Sequence, residues 1–165
     1  LGLIVAGMPM DIAEISDRLE ILDLYARYVN CVDLPDYDAL AERVFVDDTR
    51  FDYRDAAGPV MTFAQMRAGG FFDGGGMHRF HITSNLVIDF GADRHTAGTV
   101  SKTLNPWAVS DDRGTRLYQV HGRYIDELTR LPRGWRITAR RWEHAWVSGW
   151  TGDAASILMT MGDVV

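Results

Sequence analysis

The front of this chain carries apolar side chains at helical spacing, and the back carries long apolar/polar segments at strand spacing. Between residues 11 and 32, Ile12, Ile15, Leu19, Leu22, Ala26 and Val29 recur every three or four positions, with Asp, Glu and Arg between them. That period predicts a long amphipathic helix. Asp11 is placed to cap its start, with Glu14 three residues on as a capping-box partner. Leu34-Pro35 stops it. Asp36 predicts the cap of a second short helix, through Leu40 to about Phe45. Residues 49–53 read as a short strand. Thr62 caps a third helix over 63–68, which Gly69-Gly70 ends.

From residue 78 the pattern predicts strands over 78–90, 95–110, 115–130 and 134–148. Gly91-Ala92-Asp93, Asp111-Asp112-Arg113-Gly114 and Pro132-Arg133-Gly134 supply the turns. Long strands that follow one another directly read as an antiparallel meander. Three helices and then such a sheet give an α+β class. The expected architecture is a cone-shaped α+β barrel, with the helices packed in a strongly curved, mostly antiparallel sheet and an open mouth suited to a small molecule. Gly74-Gly75-Gly76 reads as a hinge or mouth loop. It lacks the Lys-Ser/Thr of a nucleotide loop and leads into no helix.

A length of 165 residues fits one domain. Its expected extent is 11–150, with 1–10 as a leader and 151–165 as a tail whose Ile157, Leu158, Met159 and Met161 suit a lid or a neighbouring copy. Five Trp, six Tyr and seven Phe are enough to line a cavity as well as fill a core. A formal charge of −6 argues against a nucleic-acid partner, which wants clustered Lys and Arg. The single cysteine, Cys31, leaves no internal disulfide or cysteine zinc site and fits a reducing, cytoplasmic setting. The apolar run Leu1 to Gly7 is too short to span a bilayer, so no membrane partner is expected.

Two ionisable residues stand where the fold has no evident need of them. Asp33 closes the long helix, and His81 opens a strand. Brought together, the carboxylate would orient the imidazole and raise its basicity, making a proton-transfer dyad without metal or cofactor. The plainer alternatives are a helix-end turn aspartate and a buried histidine bonded to a backbone carbonyl. His78, three residues before His81, falls on the opposite strand face, so the pair does not ligate a metal. His121 is expected to face away from the cone. In the last strand Arg140, Trp142, His144 and Trp146 share one face by alternation. Arg140 either serves the site or pairs with a surface carboxylate.

Three stretches carry a resemblance to a family. They are Tyr28-Val29-Asn30-Cys31-Val32-Asp33 with Asp36-Tyr37-Asp38-Ala39-Leu40, His81-Ile82-Thr83-Ser84-Asn85, and Gly122-Arg123-Tyr124-Ile125-Asp126 with Arg130 and Gly134-Trp135-Arg136-Ile137. Over about residues 11–150 the chain resembles the SnoaL-like branch of the nuclear transport factor 2-like superfamily. That branch holds dehydratases acting on scytalone and on bile acids, and a hexachlorocyclohexane dehydrochlorinase. The resemblance implies a cofactor-free His–Asp dyad at His81 and Asp33, with catalytic tyrosines at Tyr28 and Tyr53. It also implies a pocket wall of Asn105, Trp107, Tyr124, Arg140, Trp142 and His144, in which Arg140 or Asn105 holds an enolate.

Where scytalone dehydratase has a second histidine this chain reads Leu104-Asn105-Pro106-Trp107, so the dyad transfers and the substrate does not. The expected activity is a lyase or isomerase acting on a small apolar or aromatic substrate such as a polyketide, steroid or aromatic-degradation intermediate. The alternatives are a non-catalytic small subunit of an aromatic-ring-hydroxylating dioxygenase and a ligand-binding module. Homotrimers or homodimers are expected, through an apolar outer sheet face containing Leu117, Val120 and Ile137.

Overall fold

A computed structural model describes residues 10–73, 77–111 and 114–149. The leader, the Gly74-Gly75-Gly76 segment and the tail all fall mainly or wholly outside the described residues. Three helices, α1 (Ile12–Asp33), α2 (Tyr37–Arg43) and α3 (Phe63–Ala68), pack against a curled seven-stranded sheet that forms a half-barrel. Its strands are β1 (Phe45–Asp52), β2 (Val60–Thr62), β3 (Met77–Arg79), β4 (Ile82–Phe90), β5 (Thr96–Asp111), β6 (Gly114–Leu131) and β7 (Gly134–Ser148). This is the expected α+β cone.

The helix starts follow the local chemistry read from the sequence, except that the Glu14 side chain pairs with Arg18 and closes no capping box on Asp11. Asp11 caps α1 by accepting from the Glu14 backbone N–H at 2.7 Å, and Asp36 caps α2 from Ala39 at 2.9 Å. Thr62 and Gln65 form a reciprocal capping box on α3. The apolar spacing that predicts α1 does not mark its buried face, although Val29 at its end packs against the core. Ile12, Ile15, Leu19 and Leu22 are all exposed, Ile12 by 87%. The helix instead buries Ile21, Leu24, Tyr25, Tyr28 and Val32. It has two apolar stripes, and the inward one includes tyrosines whose hydroxyls find partners inside.

The meander is confirmed for β4 to β7, which pair antiparallel in sequence. The sheet is nonetheless mixed, because β1 joins the far edge of β7 in parallel. Two irregularities in β7 set which side chains enter the cone. Thr138 is an extra residue between the pairs Ile137–Leu128 and Ala139–Glu127. Ala145 is another, between His144–Gly122 and Trp146–His121. Each such bulge reverses the inside/outside alternation. The inward set therefore runs Trp135 and Ile137, then Arg140, Trp142 and His144, then Val147. Trp146 is turned outward, 59% exposed and stacked on His121 at 4.6 Å. The shared face expected for Trp146 thus fails, while His121 does face away. Of the expected outer-face residues, Leu117 is exposed, Val120 lines the cone and Ile137 is fully buried in the core.

β3 and β4 run along the same edge of β5, divided at Phe80-His81. Proline explains the division. The Phe80 N–H donates to Pro106 O at 3.1 Å, but Pro106 has no N–H with which to answer. His81 sits just before β4, and by strand alternation its N–H points away from β5. Among the described residues no helix is long and apolar enough to cross a membrane.

Candidate active site

Asp33 and His81, 48 positions apart, are in direct contact. His81 Nδ1 lies 2.6 Å from Asp33 Oδ1. The His81 backbone N–H, pointing away from β5, also donates to the same carboxylate, at 2.9 and 3.1 Å. The helix end and the strand break are therefore tied at three points, and the imidazole has little rotational freedom. A carboxylate only accepts, so the neutral ring carries its proton on Nδ1. Nε2 is left as the basic nitrogen. His81 is buried, and its ring lies between two spaces. It borders a cavity of about 200 Å³ inside the cone, whereas Asp33 borders the groove between α1 and β4 and not the cavity.

Each side of the cone contributes to this cavity. α1 supplies Tyr28, and Tyr53 follows β1. β5 supplies Asn105 and Trp107, β6 Tyr124, and β7 Trp142 and His144. All seven were expected there. Tyr53 stacks between Phe51 and Phe71, with centroids at 6.0 and 5.8 Å. The Tyr28 hydroxyl donates to that of Tyr124 at 3.1 Å. Burial pushes the phenols of Tyr28, Tyr53 and Tyr124 up from their ordinary value, so all three remain neutral hydrogen-bond donors near pH 7. His144 sits by the turn at residues 54–56, its backbone N–H donating to Asp55 at 2.7 Å.

Arg140 corrects both sequence readings. It does not line the cavity, and its carboxylate partner is not on the surface. Its Nε and Nη2 grip Asp126 at 2.9 and 2.7 Å, both side chains fully buried. Its guanidinium lies over the rings of Tyr28 and Tyr124, 4.0 and 3.9 Å from their centroids. Burial works against this charge, but Asp126 and the surrounding hydroxyls hold the guanidinium well above its ordinary value. Tyr25 completes the cluster, donating to Asp126 and lying 2.5 Å from Thr99 Oγ1. Arg140 thus holds two cavity tyrosines from behind and does not meet a ligand.

The sequence reading missed Arg79, Asp126, Phe71 and Phe72. Asp126 and Arg79 had a visible signal: each lies two residues from a chosen one, Tyr124 and His81, and so shares its strand face. Phe71 and Phe72 lie in a loop and had none. No group of three or more His, Cys, Asp or Glu suited to a metal exists among the described residues.

A half-barrel wrapped on helices, with an aromatic cavity bordered by a histidine that an aspartate holds from behind, defines a class of small cone-shaped α+β domains. Within that class the chain belongs to the SnoaL-like domain family, whose profile matches residues 13–141. An uncharacterized protein of Mycobacterium tuberculosis is 31% identical over 133 residues, covering 79% of this chain and 87% of that protein. A solved structure from Novosphingobium aromaticivorans, named as a candidate aromatic ring hydroxylase, superposes with a TM-score of 0.69 at 29% identity, covering 85% and 97% of the two chains. A candidate scytalone dehydratase from the same organism gives 0.72 at 19% identity, covering 88% and 95%, and shows likeness of fold alone.

Proposed function

We propose that the chain is a cofactor-free lyase or isomerase in which His81 is the general base. The observation that carries this reading is the 2.6 Å contact between His81 Nδ1 and Asp33, with the imidazole bordering the cavity and the carboxylate behind it. Nε2 takes a proton from carbon next to a carbonyl or on an activated ring. Asp33 then stabilises the imidazolium that results. Tyr53, neutral and buried, or Tyr28, turning its O–H away from Tyr124, hydrogen-bonds the substrate oxygen as negative charge grows on it, and in an elimination assists the departing hydroxide or water. A positioned base contributes about a hundred- to ten-thousandfold, so the C–H must already be acidified by its neighbours. The aromatic walls favour a flat, mostly apolar substrate. The name of the ring-hydroxylase neighbour keeps a second reading in view, a non-catalytic oxygenase subunit; the intact pair beside an open cavity favours the enzyme.

Flat hydroxyketones of polyketide-like and steroid-like outline test the reading. The parent should dehydrate at least one, or exchange its activated C–H for deuterium by NMR. His81→Ala should lower that rate by about 10²- to 10⁴-fold and Asp33→Asn should also lower it. A His81→Ala variant as fast as the parent ends the reading.

A further inference from the structure

The cavity wall beside His81 holds an arginine with two of its three guanidinium nitrogens unanswered. Arg79 Nη1 donates to the Phe72 carbonyl at 2.6 Å. Its Nε and Nη2 are buried and have no hydrogen-bond partner. These two nitrogens form one edge of the guanidinium, and the protein shows twice what that edge holds. Arg140 uses it to grip Asp126 at 2.9 and 2.7 Å, and Arg54 to grip Asp52 at 2.9 and 2.6 Å. In both cases two parallel N–H groups meet the two oxygens of a carboxylate. On Arg79 the same edge meets no acceptor of the chain.

A buried guanidinium edge without a partner is less stable than a paired one, so it is poised for an anion. Its neighbours share the condition. Trp107, its register partner on β5, has an unpartnered buried Nε1, and Asn105 has an unpartnered buried Oδ1. All three line the cavity with His81. Burial draws the proton affinity of Arg79 down, and Tyr37, Tyr118 and the Asp33 carboxylate act against that from a distance. A guanidinium starts so high that it stays cationic at neutral pH.

We propose that the cavity takes a flat carboxylic acid, its carboxylate seated on the Nε–Nη2 edge of Arg79, with Trp107 Nε1 donating to a ligand oxygen and Asn105 Oδ1 accepting from a ligand hydroxyl or N–H. This deepens the reading of His81 as a base by naming the substrate class, but the binding step is independent of it. The edge selects a planar two-oxygen anion over a neutral group of the same outline, because only the anion meets both donors and the charge.

Calorimetric titration of the full chain with matched pairs, 1-naphthoate against 1-naphthamide and benzoate against benzamide, tests this. At least one acid should bind about tenfold or more tightly than its amide. Arg79→Met should abolish the preference and keep the parent's thermal midpoint or raise it, since it removes an unpaired buried charge. Arg79→Lys, a point charge without the fork, should keep only part of it. His81→Ala should retain it. Equal binding of acid and amide, no saturable binding of either acid, or a preference that survives Arg79→Met would overturn the proposal. A preference that depends on Arg79 in a protein that moves no proton would instead leave it standing and remove the base.

Discussion

At the scale of the residue, the most consequential pair after His81 and Asp33 is Arg140 with Asp126. Both are fully buried and each answers the other with two hydrogen bonds. Replacing one member leaves a charge in the core with no way to reach water. Asp126→Ala is therefore expected to cost about 3–5 kcal/mol, measured as a fall in the urea unfolding free energy. It should also loosen Tyr28 and Tyr124, because the guanidinium that lies over both rings loses its anchor. A variant within 1 kcal/mol of the parent (about a fivefold change in the folding constant) would show that the pair is dispensable. The contrast with Arg79 is instructive. One buried arginine has its partner inside the chain, and the other has the same edge buried and unanswered in the wall of a cavity. Sequence could identify both as strand arginines. It could not tell which had a partner, since that depends on which carboxylate the curl of the sheet brings near.

At the scale of the element, close approach is the governing constraint. Gly122 faces the cone where Trp142 crosses it. A Cβ there would lie 2.4 Å from the Glu143 carbonyl oxygen and 2.5 Å from the Trp142 ring. Backbone cannot move aside as a long side chain can. Gly122→Ala is expected to destabilise the chain on the order of 1–3 kcal/mol by chemical denaturation. It should also push Trp142 toward the cavity it lines and weaken ligand binding there. The elements themselves were largely legible from the sequence. Caps at Asp11, Asp36 and Thr62 announce helix starts by local hydrogen bonding, which needs no knowledge of the rest of the chain. What failed needed distant information. The buried side of α1 depends on which of two apolar stripes meets the sheet, and the outward turn of Trp146 depends on an extra residue in one strand.

At the scale of the whole molecule, the candidate site was legible because the family resemblance supplied the long-range contact that periodicity could not. Asp33 and His81 are 48 positions apart, and only the fold joins them. The exposed apolar residues tell a different story from the one expected. Outward apolar area is found on α1, at Ile12, Ile15, Leu19 and Leu22, as well as on the sheet at Leu117 and Trp146. A stripe of this kind favours association between copies. Light scattering at micromolar concentration should show a dimer or trimer, and Leu19→Asp with Leu22→Asp should lower that mass. A parent that runs as a monomer would remove the expectation.

The extra residue at Ala145 has one more consequence. It decides whether Val147 or Trp146 closes the wall of the cone. Ironing the bulge out, so that Ala145 pairs with His121 in regular alternation, would turn Trp146 inward and swing an indole into space now bordered by an isopropyl group. The size of the chamber would then change without any exchange of one amino acid for another. The register of β7 at this one point is thus an adjustable dial for what this scaffold admits, and relatives whose last strand runs through it without a bulge should accept molecules of different girth while folding alike.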